Sequence, residues 1–219
     1  AGADAIWAPD YTDVFPGGED SHFKIQVPQT LNNQLCGAQR KGHFDGVATV
    51  IVRLIKIINP NKLILGEKDW QQLIIIRKLF QDLSIPIRIE SYATLRDESG
   101  FAYSSRNSYL SHSERLNAQA LPNIILEAKD QFIKNKTISL KKIESKLKQS
   151  KLEIEYIQIV DAFSLKEKDN INGICLLAAA VRCGSTRLID HTFLMHRKPI
   201  IAIDGPAGAG KSTITKKFA

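Results

Sequence analysis

The chain has 219 residues, of which 43% are hydrophobic and 24% are charged; these proportions argue against disorder and suit one large domain or two modest ones. No apolar run approaches the roughly 18 residues needed to cross a bilayer, and the first residues lack the basic and apolar regions of a secretion signal, so we expect a soluble, cytoplasmic protein with no membrane partner. The net charge of +7 would suit a nucleic-acid-binding surface, but many of the cations lie at 129–151 with helical spacing, which favours a solvated helix face and no nucleic acid partner.

The apolar patterns of residues 1–94 alternate between strands and helices. The predicted elements are strands at 3–8 and 23–27, an amphipathic helix at 47–58, a strand at 62–65, a helix at about 69–83 and a strand at 85–89. Asn59-Pro60 should end the first helix, because the residue before a proline is disfavoured in the helical conformation. Strand, helix and strand at this spacing form a βαβ unit, which predicts a parallel sheet of the α/β class.

Residues 95–190 have a different pattern, which predicts a smaller α+β domain. The expected elements are a polar loop at 96–108, helices at 113–134 and 140–149, and strands at 154–160 and 173–181. Pro122 falls inside the longer helical pattern, so that helix either begins near it or is kinked there. Residues 191–199 are expected to be a linker, and residues 200–219 to begin a further domain with a buried strand at 200–203.

The three cysteines, Cys36, Cys175 and Cys183, match neither a disulfide framework nor the spacing of a zinc site. Cys175 lies in an apolar run and is expected to be a small core residue. We predict no metal site built from protein side chains.

The most specific motif is GPAGAGKS at 205–212, a complete G-x-x-x-x-G-K-S between a predicted strand and a predicted helix. The P-loop residues are Gly205, Gly208, Gly210, Lys211, Ser212 and Thr213. In such a loop the backbone N–H groups converge on phosphate oxygens, the lysine adds a charge for the β- and γ-phosphates, and the serine hydroxyl can ligate Mg²⁺. A chance glycine-rich turn is the alternative. The segment IAIDGPAGAGKST at 201–213 resembles the start of cytidylate kinases.

A second group of polar residues, GEKDWQQ at 66–72, lies where a parallel strand should end and a helix begin. Ligands in open α/β sheets bind at the carboxyl ends of the strands, so Lys68 would direct a cation at an anionic ligand and Gln72 would lie one turn later on the same side. The alternative is an ordinary helix N-terminus, with Glu67 and Asp69 favoured by the helix dipole.

Two further segments have the composition of anion sites. Tyr103, Ser104, Ser105 and Arg106 offer hydroxyl groups and a guanidinium fork suited to a polyphosphate, although the loop could instead cap the next helix. RKGHFDGV at 40–47 places cations, a histidine and two glycines at a helix entrance. A structural role for its histidine is equally open.

In combination, RKGHFDGV at 40–47, NPNKLILGEKDWQQLIIIRKL at 59–79 and SSRNSYLS at 104–111 closely resemble the pantothenate synthetase (pantoate–β-alanine ligase) family. WAPDYTDVFP at 7–16 and VRCGSTRLIDH at 181–191 are also similar to that family. The resemblance covers residues 1–191. With the kinase-like tail it resembles a fusion of the ligase with a cytidylate kinase, an arrangement of bacteria and especially cyanobacteria.

The resemblance implies a Rossmann-like ATP- and pantoate-binding domain at 1–94, a small lid domain at 95–190 and the start of a cytidylate kinase at 200–219. It implies condensation of pantoate with β-alanine through a pantoyl adenylate, with ATP and Mg²⁺ as cofactors, CMP or dCMP as the kinase substrates, and a homodimer. The residues implied at the ATP site are Gly66, Glu67, Lys68, Asp69, Leu95, Tyr103, Ser104, Ser105 and Arg106. Lys68 and the last three would be catalytic, Gln72 would bind pantoate, and Arg40 and His43 would be basic residues near the active site.

The sequence departs from the family pattern in several places. The His-x-Gly-His motif and an early glutamine-bearing segment are missing, so we expect a piece cut at both ends that has little activity alone. Lys41 replaces an expected proline, and Tyr103 replaces a smaller or aliphatic residue. The alternative is a fragment of a P-loop nucleotide kinase with an unrelated extension, although a P-loop at the end of this chain leaves nothing on which to build a kinase fold.

Overall fold

The computed structural model describes residues 2–196, 202–206 and 208–218. The strands are β1 (Lys62–Gly66), β2 (Arg88–Tyr92), β3 (Glu153–Asp161), β4 (Ile174–Cys183) and β5 (Thr186–Met195). The helices are α1 (Tyr11–Val14), α2 (Gln29–Asn32), α3 (Leu35–Gln39), α4 (His43–Ile58), α5 (Trp70–Asp82), α6 (His112–Ala118), α7 (Ala120–Asn135), α8 (Leu140–Gln149) and α9 (Lys211–Phe218), with 3-10 turns at Glu19–Ser21, Glu67–Asp69 and Ser105–Tyr109. In these ranges no helix is long and apolar enough to cross a membrane.

The predicted βαβ unit is confirmed. β1 and β2 pair in parallel, from Lys62 opposite Arg88 to Gly66 opposite Tyr92, and α5 connects them. β2 begins three residues later than the pattern predicts, because Ile85 and Ile87 pack against the core between α4 and α5. The buried contacts of the crossover helix thus determine where the strand begins.

Helix α4 ends where the sequence indicates, with Asn59 in the left-handed conformation after Ile58. Its start is earlier than predicted, because Gly42 takes a left-handed turn with a φ of 75° and His43 follows directly in the helix. Phe44 is buried in this first turn. Residues 43–47 of the segment 40–47 therefore lie within the start of the helix, and residues 40–42 lead into it.

The two strands predicted near the start of the chain are wrong. Residues 3–8 belong to no strand, and Ile6 is 88% exposed. Residues 23–27 are extended, but side chains of α4 replace a neighbouring strand: the Ile25 amide donates to Thr49 Oγ1 at 2.9 Å and the Val27 amide to Asp45 Oδ1 at 2.8 Å. Alternating apolar residues cannot show which partner satisfies the backbone.

An antiparallel sheet with the order β3-β4-β5 forms the centre of the second half of the described chain. The predicted long helix is two helices, and α7 begins at Ala120 so that Pro122 lies in its first turn, where proline is tolerated. Helix α8 has the predicted bounds, and it buries Ile143 and Leu147 while its lysines face outward. Phe132 is buried in the same core.

The sheet is covered on both faces. Leu177, Ala179 and Val181 of β4 pack against α6–α8, whereas Leu176 and Ala178 pack against Trp70 and its neighbours on α5. A strand buried on both faces reads as a continuous apolar run. Strand β4 therefore joins the two halves through one layered core.

Strand β5 is absent from the sequence prediction. It pairs with β4 from Thr186 to Met195, so its last five residues lie in the segment predicted as a linker at 191–199. That prediction is wrong for residues 191–195, because polar Thr186, Asp190 and Thr192 occupy buried positions and hide the alternation. Residue 196 is described and belongs to no strand, and residues 197–199 of the linker lie outside the described residues.

The end of the described chain carries α9 directly after the P-loop, as predicted. The strand predicted at 200–203 lies half outside the described residues, and residues 202 and 203 belong to no strand. All three cysteines are free and buried, so the core position of Cys175 is confirmed. The division at residue 94 or 95 stays a prediction.

Candidate active site

A cavity of about 300 Å³ lies between helices α3–α5 and the antiparallel sheet. It brings together residues from six separate segments of the sequence. The predicted site residues that line it are Arg40, His43, Lys68, Asp69, Gln72, Ser104, Ser105 and Arg106. The convergence of segments 40–43, 68–72 and 104–106 on one cavity is thus a property of the fold.

Four other predicted residues do not line the cavity. Gly66 ends β1, and Glu67 accepts a hydrogen bond from the Ser91 hydroxyl at 2.8 Å. Leu95 and Tyr103 are 62% and 64% exposed. These four are outside the cavity wall.

The turn Glu67–Asp69 brings Lys68 from the carboxyl end of β1 to the start of α5. Lys68 forms no ion pair within the described ranges, so its ammonium group is available to a ligand. Gln72 lies one helical turn further along the cavity wall.

Trp70 and Gln71, which lie between Lys68 and Gln72, have structural roles. Trp70 is buried, and its Nε1 donates to the Ala162 carbonyl at 2.6 Å, which joins α5 to the second half of the chain. The Gln71 side chain donates to the carbonyls of Leu31 and Gln34 at 2.9 and 2.7 Å and holds the α2–α3 turn. The motif therefore combines ligand-facing and structural positions.

The segment 104–106 leaves a short hairpin and enters a 3-10 turn. The Ser104 hydroxyl accepts the Arg106 amide at 3.2 Å and caps this turn. The sequence left open that this loop caps the next helix. That cap is Ser111, which forms the capping box of α6 with Glu114. Ser105 and Arg106 line the cavity.

Arg40 and His43 form a pair at the start of α4, where Arg40 Nη1 donates to His43 Nε2 at 2.6 Å. Burial lowers the pKa of His43 below its ordinary value of 6.5, and the charges of Arg40, Arg106 and Arg187 lower it further. Burial and Arg187 also lower the pKa of Arg40. His43 is therefore held in its neutral form among cations.

Sequence reasoning missed Arg187, a cavity residue on β5. Its Nε donates to Glu155 Oε2 at 2.6 Å, while Arg182 contacts the other oxygen of the same carboxylate at 2.9 Å. One carboxylate facing two guanidinium groups leaves a net positive charge. The sequence points to Arg187 only through the family-like segment VRCGSTRLIDH at 181–191, because the pattern of residues 186–195 does not predict β5.

The electrostatic character of the cavity follows from its charged side chains. Arg40, Lys68, Arg106 and Arg187 line it. The acids that line it are Asp69 and Asp190, and Asp190 is paired with Arg96. A concave surface with this excess of cations concentrates polyanions.

The P-loop residues lie apart from this cavity in the sequence. Gly208 and Gly210 take left-handed conformations, with φ of 82° and 74°. The Lys211 ammonium group donates to the loop carbonyls of Gly205 and Pro206. Ser212 and Thr213 lie in the first turn of α9. The loop thus has the turn and the helix start of its motif, but the described residues show no kinase fold.

This chain is similar to known proteins over most of its length. The family model described as pantoate-beta-alanine ligase matches residues 1–193. The chain belongs to the pantoate–β-alanine ligase family. An unrelated extension before the P-loop, the alternative interpretation of the sequence, is therefore wrong.

Curated members of the family include fusions. The bifunctional pantoate ligase/cytidylate kinase of Prochlorococcus marinus strain NATL1A is 78% identical over 219 residues, all of this chain and 42% of that protein. The protein of the same description from Synechococcus sp. strain CC9311 is 47% identical over 222 positions, which are 45% of its length. The chain thus spans less than half of these relatives.

Solved ligases share the fold. Pantothenate synthetase from Thermus thermophilus superposes with a TM-score of 0.78 at 31% identity, over 87% of this chain and 70% of that one. The pantoate-beta-alanine ligase of Francisella tularensis, solved with beta-gamma ATP and beta-alanine, has a TM-score of 0.67 at 31% identity, over 83% of this chain and 61% of that one. The parallel and antiparallel sheets are therefore those of a pantothenate-synthetase-like α/β fold.

Proposed function

We propose that this chain forms much of the substrate site of an ATP-dependent pantoate–β-alanine ligase. The observation that carries the proposal is the convergence of Lys68, Gln72 and the segment 104–106 on one cation-rich cavity. A triphosphate and a small carboxylate are both anions, and this cavity offers hydrogen-bond donors and positive charge from several sides.

The proposed roles combine the family pattern with the position of each cavity residue. Lys68, Ser104, Ser105 and Arg106 would hold the triphosphate. Gly66, Glu67, Asp69, Leu95 and Tyr103 would surround the rest of the nucleotide. Gln72 would donate a hydrogen bond to pantoate. Arg40 would add charge at the anion site, with neutral His43 as its hydrogen-bond acceptor.

The proposed reaction has two steps. A carboxylate oxygen of pantoate attacks the α-phosphorus of ATP, the bond from that phosphorus to the bridging oxygen breaks, and pyrophosphate leaves. The β-alanine amine then attacks the acyl carbon of the pantoyl adenylate, AMP leaves, and the amine loses a proton as the amide forms. Negative charge develops at the phosphates in the first step, so fixed cations in a partly enclosed cavity stabilise its transition state.

The residues present fit a magnesium ion delivered with the nucleotide. Mg²⁺ in such sites is held by one or two carboxylates together with substrate phosphates. Asp69 lines the cavity and forms no ion pair among residues 2–196, so its carboxylate would hold the ion, which supplies charge neutralisation to the phosphates. No group of three or more His, Cys, Asp and Glu side chains in the described ranges forms a protein-only metal site.

Isotope exchange tests the first step separately from the second. The full-length natural protein should exchange labelled pyrophosphate into ATP when pantoate is present, without β-alanine. Pantoate labelled with ¹⁸O in its carboxylate should transfer one ¹⁸O atom to AMP once β-alanine is added. Exchange that does not require pantoate, or AMP without the label, would contradict the adenylate mechanism.

We also propose that the tail begins a kinase for CMP or dCMP. The support is the complete P-loop motif and the alignment of the whole chain with fused relatives. In the full-length protein, Lys211→Ala should abolish CMP phosphorylation and leave pantoate-dependent exchange at the wild-type rate. Loss of both activities together would contradict independent sites.

We propose a homodimer and a cytoplasmic location for the full-length protein. Light scattering coupled to gel filtration measures the first directly, and a mass of one subunit at micromolar concentration would refute it.

A further inference from the structure

An ion pair between half-buried Arg96 and buried Asp190, at the edge of the cavity, has no part in the roles proposed above. Arg96 Nη1 and Nη2 donate to Asp190 Oδ2 and Oδ1, both at 2.7 Å. Asp190 is 5% exposed and lines the cavity. Two parallel hydrogen bonds fix the orientation of the two side chains as well as their distance.

The arginine of this pair belongs to the hairpin formed by residues 95–103. Its Nη1 also donates to the Gly100 carbonyl at 2.9 Å, and its backbone pairs with Ala102. The Tyr103 amide donates to the Leu95 carbonyl at 3.0 Å and closes the hairpin. One guanidinium group therefore contacts both arms of the hairpin and β5.

The hairpin is a rigid unit in its own right. Asp97 Oδ1 accepts the amides of Ser99 and Phe101, each at 3.0 Å, and its other oxygen pairs with Arg115 of α6 at 2.9 Å. Removing two charges from water costs about as much free energy as their attraction returns, so burial of an ion pair is not by itself stabilising. A gain in stability therefore does not explain why Asp190 is paired with an arginine. Among the described residues, Arg96–Asp190 is the ion pair that connects this hairpin to the sheet.

The residue after the hairpin is Ser104, the first member of the proposed triphosphate-binding segment. We propose that Arg96 and Asp190 are positioning residues, which hold segment 104–106 at the distance from Lys68 that an ATP triphosphate requires. The inference rests on the proposed ligase function. A displacement of about 1 Å in such a segment can lower activity roughly 100-fold.

The pair has a second electrostatic consequence. With Arg96 in place, the Asp190 carboxylate is neutralised within a cavity that receives phosphates. Arg96→Gln leaves this carboxylate unpaired and facing the nucleotide, whereas Asp190→Asn removes both the fork and the charge. The KM for ATP should therefore rise more in Arg96→Gln than in Asp190→Asn, and the difference should shrink at high salt.

The test compares Arg96→Lys, Arg96→Gln, Asp190→Asn and the Arg96→Gln/Asp190→Asn double variant in the full-length protein. Lysine keeps the charge but not the fork. We expect kcat/KM for ATP to fall roughly 100-fold in Arg96→Gln, the KM for pantoate to stay within about twofold, and the double variant to be no worse than Arg96→Gln, since both changes remove one interaction. Glu127→Gln, which removes an ion pair to Lys146 on α8, is the matched control and should match the wild type.

Hydrogen exchange gives a readout that does not depend on activity. The amides of Tyr103 and Asn107 should exchange faster in the Arg96 and Asp190 variants than in Glu127→Gln, while core amides of β4 keep wild-type protection. Unchanged exchange at Tyr103, or equal increases in the KM for ATP and for pantoate, would overturn the positioning role. If the wild type shows no pantoate-dependent exchange, the proposed function fails, and the amide exchange still decides whether the pair holds the segment.

Discussion

Replacement of Lys68 by alanine separates function from stability more clearly than any other change at the proposed site. The Lys68 side chain is half-buried, lines the cavity and makes no ion pair within residues 2–196. Its removal therefore leaves no described group unpaired. The free energy of unfolding should change by no more than about 0.5 kcal/mol.

The expected loss of activity is much larger. If Lys68 donates to phosphate oxygens whose negative charge grows in the transition state, its loss removes one fixed donor from a partly enclosed site. Removal of one such donor costs about 2.7–4 kcal/mol, or roughly 10²- to 10³-fold in kcat. Arg40, Arg106 and Arg187 remain in the cavity, so the ATP-bound complex should still form.

The assay is pantoate-dependent exchange of pyrophosphate into ATP, measured with thermal unfolding of the same preparation. Lys141→Ala is the matched control, because Lys141 is an exposed lysine on α8 outside the cavity. The control should keep the wild-type rate. Wild-type exchange in Lys68→Ala, or a loss of activity that parallels a loss of stability, would refute the proposed role of Lys68.

Three further predictions concern stability. Trp70→Phe should destabilise the protein by about 1–3 kcal/mol, because the buried Ala162 carbonyl loses its donor; denaturant titration measures this, and an unchanged midpoint would contradict it. Leu147→Ala removes a fully buried side chain of α8 and should cost about 2–5 kcal/mol with no change in the KM for ATP; a changed KM would show coupling to the cavity. The pKa of His43 lies below 6.5 in the folded protein, so below about pH 6.5 the unfolded chain binds more protons than the folded protein. The contribution of neutral His43 to the free energy of unfolding is therefore complete above about pH 6.5 and is lost as the pH falls below it. His43→Gln should flatten the decline of the melting temperature between pH 6.5 and 5, and an unchanged slope would be the contrary result.

Much of the fold could be predicted from local patterns. The βαβ unit, helix α8 and the end of α4 at Asn59 follow from apolar periodicity and the Asn-Pro signal, which act within a few residues. Errors arose where a segment depends on distant partners. Residues 23–27 hydrogen-bond to Thr49 and Asp45 rather than to a strand, and β5 carries polar side chains on a buried face.

The candidate site shows the same division. The residue types of Arg40, Lys68, Gln72 and segment 104–106 indicate an anion site without any knowledge of the fold, since guanidinium, ammonium and hydroxyl groups in these contexts suit phosphate. Arg187 was not found, because its relevance depends on β5 lying beside the cavity. A single arginine in a stretch without recognised periodicity carries no signal beyond the family-like segment that contains it.

The sequence by itself determined the parallel βαβ unit, helix α8, the family and the chemical types of the site residues, because helix periodicity, turn residues and motif composition are encoded over short spans. Tertiary structure alone decided which side chains face a ligand and which hold the frame. Lys68 and Gln71 are three residues apart and both line the cavity, yet the first forms no ion pair among residues 2–196, whereas the second ties α5 to the α2–α3 turn. That difference, like the pairing of Arg96 with Asp190, arises from packing between segments far apart in the chain, which local propensity does not encode.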